Sequence, residues 1–246
     1  MHTLKRHMTI LALVIVLSPA LFVYADGKKC FTEVAVINME GDKSFGSIDE
    51  PPGGERDGVW FRIVPRALAI DSQGNIYVGD SVNYRVMKFN GAGGYVTEFR
   101  LQPPKKEQQP DISHKIMDMT LGDDGNLYVW NYHEERIEIY KLDGSYIKSI
   151  NVRKDMTKQL FSHEPTGKYK GCVYDIQVYT PDKRYPGREL YEITVKDKNG
   201  KMVARCRDVE MAFDEDGLIY KIDSAGNIYT FDKKNTLNVI RINPFK

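Results

Sequence analysis

The stretch that decides the fold runs Ala67-Leu68-Ala69-Ile70-Asp71-Ser72-Gln73-Gly74-Asn75-Ile76-Tyr77-Val78-Gly79-Asp80 and continues as Asn83-Tyr84-Arg85-Val86-Met87-Lys88-Phe89-Asn90-Gly91. A short apolar run ends in Asp-x-x-Gly, where glycine can take positive φ, and a second run with apolar and aromatic alternation follows. A polar turn then leads to a third strand. Asn90-Gly91 reverses the chain into a fourth, Tyr95 to Arg100, so the segment reads as a four-stranded antiparallel meander.

The pattern recurs. Met117 to Asn131, continuing through Arg136-Ile137-Glu138-Ile139-Tyr140 to Asp143-Gly144, repeats it fifty-one residues on. A third copy is read from Val209 to Asp223, with Gly217-Leu218-Ile219-Tyr220 in the place of Gly74-Asn75-Ile76-Tyr77 and Asn227 to Asp232 following as the next strand. Between the second and third copies lie weaker strands around Val173, Glu189 and Met202. Meanders repeated at such a period stack as the blades of an all-β propeller, because no blade buries both of its faces alone.

At Gly74 to Asp80 with Asn83 to Val86, and at Gly125 to Asn131 with Arg136-Ile137, the chain resembles NHL repeats, a family of six-bladed β-propellers. Asn131 stands where that pattern has aspartate, and the Gly217 copy lacks the arginine. The resemblance implies a propeller of five or six four-stranded blades, some of them partial, with repeats near 65–101, 115–151, 156–206 (degenerate) and 208–243. Thr32 to Met39 and Val59 to Val64 form a partial N-terminal unit, expected to close the ring against Leu237 to Ile242. Gln102 to Ser113 and Asp49 to Asp57 read as loops.

Residues 1–25 read as an export signal: Lys5-Arg6-His7, an apolar run from Ile10 to Leu17, a Ser18-Pro19 break, and small residues at Val23 and Ala25. Cleavage after Ala25 leaves 26–246 as one propeller domain in a periplasmic or extracellular setting. An uncleaved anchor at the membrane is the alternative. The full chain of 246 residues has 35 basic and 34 acidic side chains, too balanced for the basic field that nucleic-acid binding uses. Cys172 and Cys206 sit at opposite ends of a predicted three-stranded meander, on the order of 20 Å apart, beyond the roughly 7 Å that a disulfide tolerates.

Catalytic signatures are absent: no nucleophile elbow, P-loop or His-Glu-x-x-His occurs. His114, His133 and His163 are the histidines left after residue 25 and could hold a zinc ion; the NHL resemblance implies such a three-histidine centre in one lyase branch of the family. The acidic turns Asp123-Asp124-Gly125 and Asp214-Glu215-Asp216-Gly217 gather oxygen ligands as a calcium loop would, and also stand where the repeat needs a tight turn. Asp80, Asn83, Arg85, Asn131, Tyr132, His133 and Arg136 fall on the turns between second and third strands and form the candidate ligand face. Asp80 with Arg85, and Asn131 with Arg136, can equally lock those turns. The expected function is a non-enzymatic scaffold without a cofactor that binds a protein, peptide or glycan in the cell envelope. A metal-dependent lyase or hydrolase with a histidine-bound ion in the channel is the alternative.

Overall fold

The computed structural model describes residues 32–38, 67–81, 83–103, 116, 118–131, 134–152, 161, 169–179, 190–209, 211, 213–214, 217–218, 220–231 and 238–245. They are almost entirely strands. After β1 (Thr32–Asn38) come β2 (Ala67–Ile70), β3 (Ile76–Asp80), β4 (Arg85–Phe89) and β5 (Tyr95–Arg100), which pair in that order as one antiparallel sheet. The second sheet repeats the plan with β6 (Asp118–Leu121), β7 (Leu127–Asn131), β8 (Arg136–Tyr140) and β9 (Tyr146–Asn151). A third sheet holds β10 (Val173–Tyr179), β11 (Leu190–Lys196) and β12 (Met202–Val209), followed by a short hairpin of β13 (Phe213–Asp214) and β14 (Gly217–Leu218). The closing sheet takes β15 (Tyr220–Ile222), β16 (Ile228–Phe231) and β17 (Asn238–Asn243), and its fourth strand is β1.

The chain is an all-β propeller, and its sheets stack face to face. β2 packs beside both β6 and β15, which makes these three the innermost strands. Leu68, Ile76, Val78, Met87 and Phe89 meet Tyr229, Phe231, Val239 and Ile37 of the closing sheet. The opposite face of the first sheet, with Ala69, Tyr77 and Val86, meets Met119, Leu127, Val129 and Tyr140 of the second. Every residue of β3 is therefore buried, whereas β5 and β9 at the outer edge are largely exposed. Burial on both faces, at about 25 cal/mol per Å² of apolar surface, is what holds the stack. A third cluster joins Ile193, Val195, Cys206 and Val209 to Ile228, Ile240 and Ile242.

Ring closure follows the expectation for Thr32 to Met39: β1 pairs antiparallel with β17, from Thr32 opposite Asn243 to Asn38 opposite Asn238, with an irregularity between Ala35 and Ile37. Glycines let the β4–β5 and β8–β9 hairpins tuck against the outer strand of the preceding sheet. A Cβ on Gly144 would lie 2.6 Å from that of Phe99 on β5, and one on Gly93 would lie 1.3 Å from the carbonyl oxygen of Val36 on β1. The first sheet thus treats β1 as the second sheet treats β5. The other half of the expected N-terminal unit, Val59 to Val64, lies outside the described residues, as do residues 1–25, Cys30, the Asp49 to Asp57 loop and all but the first two residues of the Gln102 to Ser113 loop.

The third copy of the repeat has a different register from the one read in the sequence. Its inner strand is β15, and Asp223-Ser224-Ala225-Gly226-Asn227-Ile228-Tyr229 occupies the place of Asp71 to Tyr77. Gly226, not Gly217, is the counterpart of Gly74, with φ of 79° against 81°. Cys172 and Cys206 are not bridged. Cys206 pairs with Ile193, which pairs with Ile176, so Cys172 is displaced by four residues and two strands, roughly 16 Å. Among the described residues no helix is long and apolar enough to cross a membrane.

Replacing Gly93 by alanine combines a positive φ of 85° with a backbone collision, whereas Gly74 (φ 81°) has open space around its missing Cβ. Gly74→Ala should cost about 1 kcal/mol from its backbone alone. Gly93→Ala should cost clearly more and should speed amide exchange selectively in β1 and β17. Equal losses in urea unfolding would show that the hairpin does not brace the closing strand.

Candidate functional site

The turn from β3 to β4 is built around Asp80. Its Oδ1 accepts from the Asn83 amide at 3.1 Å and its Oδ2 from Asn83 Nδ2 at 2.7 Å, so aspartate shapes the turn before any strand pairing. Arg85 Nε donates to Oδ2 at 3.0 Å, and Arg85 Nη1 reaches Glu98 on β5 at 2.6 Å. Tyr84 takes φ of 53° between them. The turn from β7 to β8 has the same path, with Glu135 at φ 48° where Tyr84 stands, but its charges are rearranged. Asn131 replaces the aspartate, and the carboxylate comes instead from Glu138, at the strand position that Met87 fills in β4.

Arg136 is held from three sides. Its Nη2 lies 2.7 Å from Glu138 Oε1, its Nη1 lies 3.2 Å from Glu134 Oε2, and Nη2 also donates to the carbonyl oxygens of Gln102 and Pro103. Glu138 is fully buried, and Arg136 is 3% exposed. The other Glu138 oxygen accepts from the Tyr140 hydroxyl and from the Gln102 amide, the latter at 3.3 Å. Burial alone would lower the Arg136 pKa, but the hydrogen bond and charge of Glu138 carry it above its ordinary value. Burial, then the Glu138 hydrogen bond and charge, pushes the Tyr140 phenol upward.

The two turns are one structure. Asn131 Nδ2 donates to the Tyr84 hydroxyl, and Ser81 Oγ accepts from the Ile116 amide at 3.3 Å. Of the candidate face, Asp80, Arg85, Asn131 and Arg136 are buried, with Asn83 at the margin. They form the framework of the face, and the turn-locking Asp80–Arg85 pair is desolvated. Tyr132, His133, His114 and His163 lie outside the described residues. Sequence reading passed over Glu138, Tyr84, Glu98 and Tyr140. The loss of the aspartate at Asn131 beside an intact arginine was the signal that a carboxylate had to arrive from elsewhere.

Nearer the axis, Lys221 on β15 reaches past β2 to Asp118 on β6, with Nζ 2.8 Å from Oδ1 and 2.9 Å from Oδ2. This ion pair links the closing sheet to the second sheet across the innermost strand of the first. At the opposite ends of the strands, the acidic turn at Asp124 is saturated by donors: Asn126 N at 3.1 Å, Asn126 Nδ2 at 2.8 Å and the Tyr128 hydroxyl at 3.0 Å. Those bonds hold the Asp124 carboxyl below its usual range. Glu215 and Asp216 of the other acidic turn lie outside the described residues. Among the described residues no three His, Cys, Asp or Glu side chains gather as a metal site.

A scan against protein-family models finds no match, and a search of curated proteins finds none either. Among solved structures the chain is similar to virginiamycin B lyase from Staphylococcus aureus, at 12% identity over 86% of this chain and 73% of that one, with a TM-score of 0.32. It is also similar to regucalcin, a calcium-binding protein from Agrobacterium tumefaciens (14% identity, 39% and 34% covered, TM-score 0.28). A third is hydrazine synthase from Kuenenia stuttgartiensis (14% identity, 76% and 53% covered, TM-score 0.27). The chain thus spans 34% of that regucalcin and 53% of that synthase.

If the second turn is the first with its carboxylate moved, the two arrangements should be interchangeable. Asn131→Asp alone sets a second carboxylate beside Glu138, and Glu138→Met alone strips Arg136 of its main partner, a loss of about 3 kcal/mol for a buried charge. The double variant restores the pattern of the first turn and should recover at least about 1 kcal/mol relative to the sum of the singles in urea unfolding. Additive losses would mean that the two sites do not exchange roles.

The buried phenols set an alkaline limit. Tyr84 is pushed up to about 12 by burial and then by the Glu138 charge, and Tyr229 to about 12 by burial and then by Asp223. The fold therefore holds these protons more tightly than the unfolded chain does. Their contribution is complete below the ordinary phenol value of about 10 and is lost as pH rises from there toward 12. Unfolding free energy should hold level from about neutral pH to about pH 10 and then fall, with phenolate absorbance appearing in the same interval. Ionisation of every tyrosine near pH 10 in the folded protein would contradict this.

Proposed function

We propose that the chain is an exported, NHL-type β-propeller that acts as a non-enzymatic binding scaffold, taking a protein, peptide or glycan ligand of the cell envelope on the face that carries the β3–β4 and β7–β8 turns. The observation that supports this most is the joined framework beneath that face. Arg85 is spoken for by Asp80 and Glu98, and Arg136 by Glu138, Glu134 and two carbonyl oxygens. Charges so fully engaged do not cycle through a reaction; they hold backbone in place. Recognition then falls to the side chains that the turns present, of which Asn83, Tyr132 and His133 are the candidates in sequence.

The alternative is a lyase or hydrolase with a histidine-bound metal in the channel; its candidate ligands His114, His133 and His163 lie outside the described residues. The export reading rests on residues 1–25, and the NHL reading on the Gly-Asn-Ile-Tyr and Arg-Val/Ile pattern.

The framework and the contact residues should separate by experiment. Tyr132→Ala with His133→Ala, in mature protein of residues 26–246, should abolish capture of an envelope partner without shifting the thermal midpoint. Arg85→Ala should lower the midpoint because it takes the compensating positive charge from buried Asp80. Metal analysis of the same tag-free protein should give well under one ion per chain. About one zinc per chain, lost in His133→Ala, would overturn the scaffold reading in favour of the enzyme.

A further inference from the structure

At the end of the strands opposite the β3–β4 and β7–β8 turns lies an open groove of about 590 Å³ between the first two sheets. One wall is the Asp71-Ser72-Gln73 turn with Lys88 on β4 and Val96-Thr97 on β5; the other is Leu142-Asp143 of the β8–β9 hairpin. Both walls are rigid. Asp71 accepts from the Gln73 and Asn75 amides at 2.9 and 2.8 Å, from Asn75 Nδ2 at 2.8 Å and from the Tyr77 hydroxyl at 3.2 Å. Asp143 Oδ1 accepts from the Ser145 amide at 2.8 Å. The sheets behind them share a buried apolar cluster.

Lys88 is the unusual member. Its ammonium lies 5.1 Å from the centre of the Tyr77 ring, and among the described residues it makes no ion pair. The same position in the second sheet is Ile139, so the fold does not need a cation there. In the closing sheet the position is Arg241, which hydrogen-bonds Tyr229. The groove therefore offers an ammonium, two carboxylates, two hydroxyls and an amide around the apolar side chains of Val96 and Leu142.

This mixture selects by charge. An anion meets the carboxylates of Asp71 and Asp143, and a cation meets Lys88, each at a cost that solvent reduces in this open groove but does not cancel. A neutral polyhydroxylated ligand suffers neither repulsion. Its hydroxyls accept from Lys88 and Gln73 and donate to Asp143 in charge-assisted bonds, while the C–H face of a sugar ring rests on Val96 and Leu142. We propose that this groove binds a neutral oligosaccharide, at a site separate from the face assigned above and independent of that assignment.

The test is titration of isotope-labelled protein with the uncharged tetrasaccharides maltotetraose, cellotetraose, mannotetraose and chitotetraose, with tetragalacturonate and tetralysine as charged controls. At least one neutral probe should shift the amides of residues 72–73, 96–97 and 142–143, with a Kd on the order of 1 mM. That affinity should be unchanged between low salt and about 0.5 M salt. Lys88→Met keeps the packing on Tyr77, and Asp143→Asn keeps the acceptor for Ser145; each should weaken binding at least about fivefold at an unchanged thermal midpoint. Tyr132→Ala with His133→Ala should leave it intact. Failure of all four neutral sugars to shift these amides, shifts indifferent to both groove variants, or salt-dependent binding of a charged probe there instead would overturn the proposal. Loss of binding in the Tyr132 and His133 variant would return the ligand to the opposite face.

Discussion

A tyrosine hydroxyl buried in the second strand of the first sheet and in the matching strand of the closing sheet must find an acceptor, and that need organises the ring. Tyr77 and Tyr229 are almost wholly buried, and a phenol in such a place costs about 1–3 kcal/mol if unbonded. Asp71 and Asp223 answer with the same bonds: two backbone amides and an asparagine amide in the preceding turn, and the phenol at 3.2 and 3.1 Å. One carboxylate thus shapes the turn and fixes the register of the innermost strand on its neighbour. Because side chains alternate across a strand, that register decides which residues face which adjacent sheet, and hence whether the stack closes.

Within the repeats it is the interaction that persists and the residue that moves. In the second sheet the position of Asp71 is Gly122, and Asp124 supplies the carboxylate to Asn126 and Tyr128. The exchange explains Gly122 itself: a Cβ there would lie 2.4 Å from the Tyr128 ring and 2.6 Å from Asp124 Oδ1. The migration of negative charge from Asp80 to Glu138 is the same event at the other end of the strands. Each arginine keeps a buried carboxylate, delivered in one case from the turn and in the other from the next strand. A repeat read only as a string of letters loses its match at such places, whereas its hydrogen-bond partners remain.

That difference accounts for what could be read from the sequence. The first two sheets were legible because Asp-x-x-Gly, the apolar alternation and Asn-Gly or Asp-Gly each specify local geometry with no distant partner. Pairing of β1 with β17 was legible because a ring of meanders leaves one strand short. The third copy was misplaced because Gly217-Leu218-Ile219-Tyr220 and Gly226-Asn227-Ile228-Tyr229 both satisfy the letters. Both also carry an aspartate six residues before the tyrosine, Asp214 and Asp223; what separates them is that Tyr229 is buried and its hydroxyl bonds Asp223, as Tyr77 bonds Asp71. Glu138, Lys221 and Asp118 were silent for another reason: a charge inside a strand reads as solvent-facing until the sheet that covers it is known.

The Lys221–Asp118 pair shows how such hidden charges tie one sheet to another. By joining the closing sheet to the second across β2, it adds a tie that β1, which belongs to the closing sheet and abuts the first, does not supply. It also fills the region of the axis with paired charge. Among the described residues, the inner strands are thus occupied and the arginines of one end are locked in their turns, while the groove at the other end stays open. Lys88 is the informative residue there, since Ile139 demonstrates that a sheet of this plan folds with no charge at that position. A cation that packing does not require, held over a ring and paired with no carboxylate among the described residues, is placed to meet something outside them.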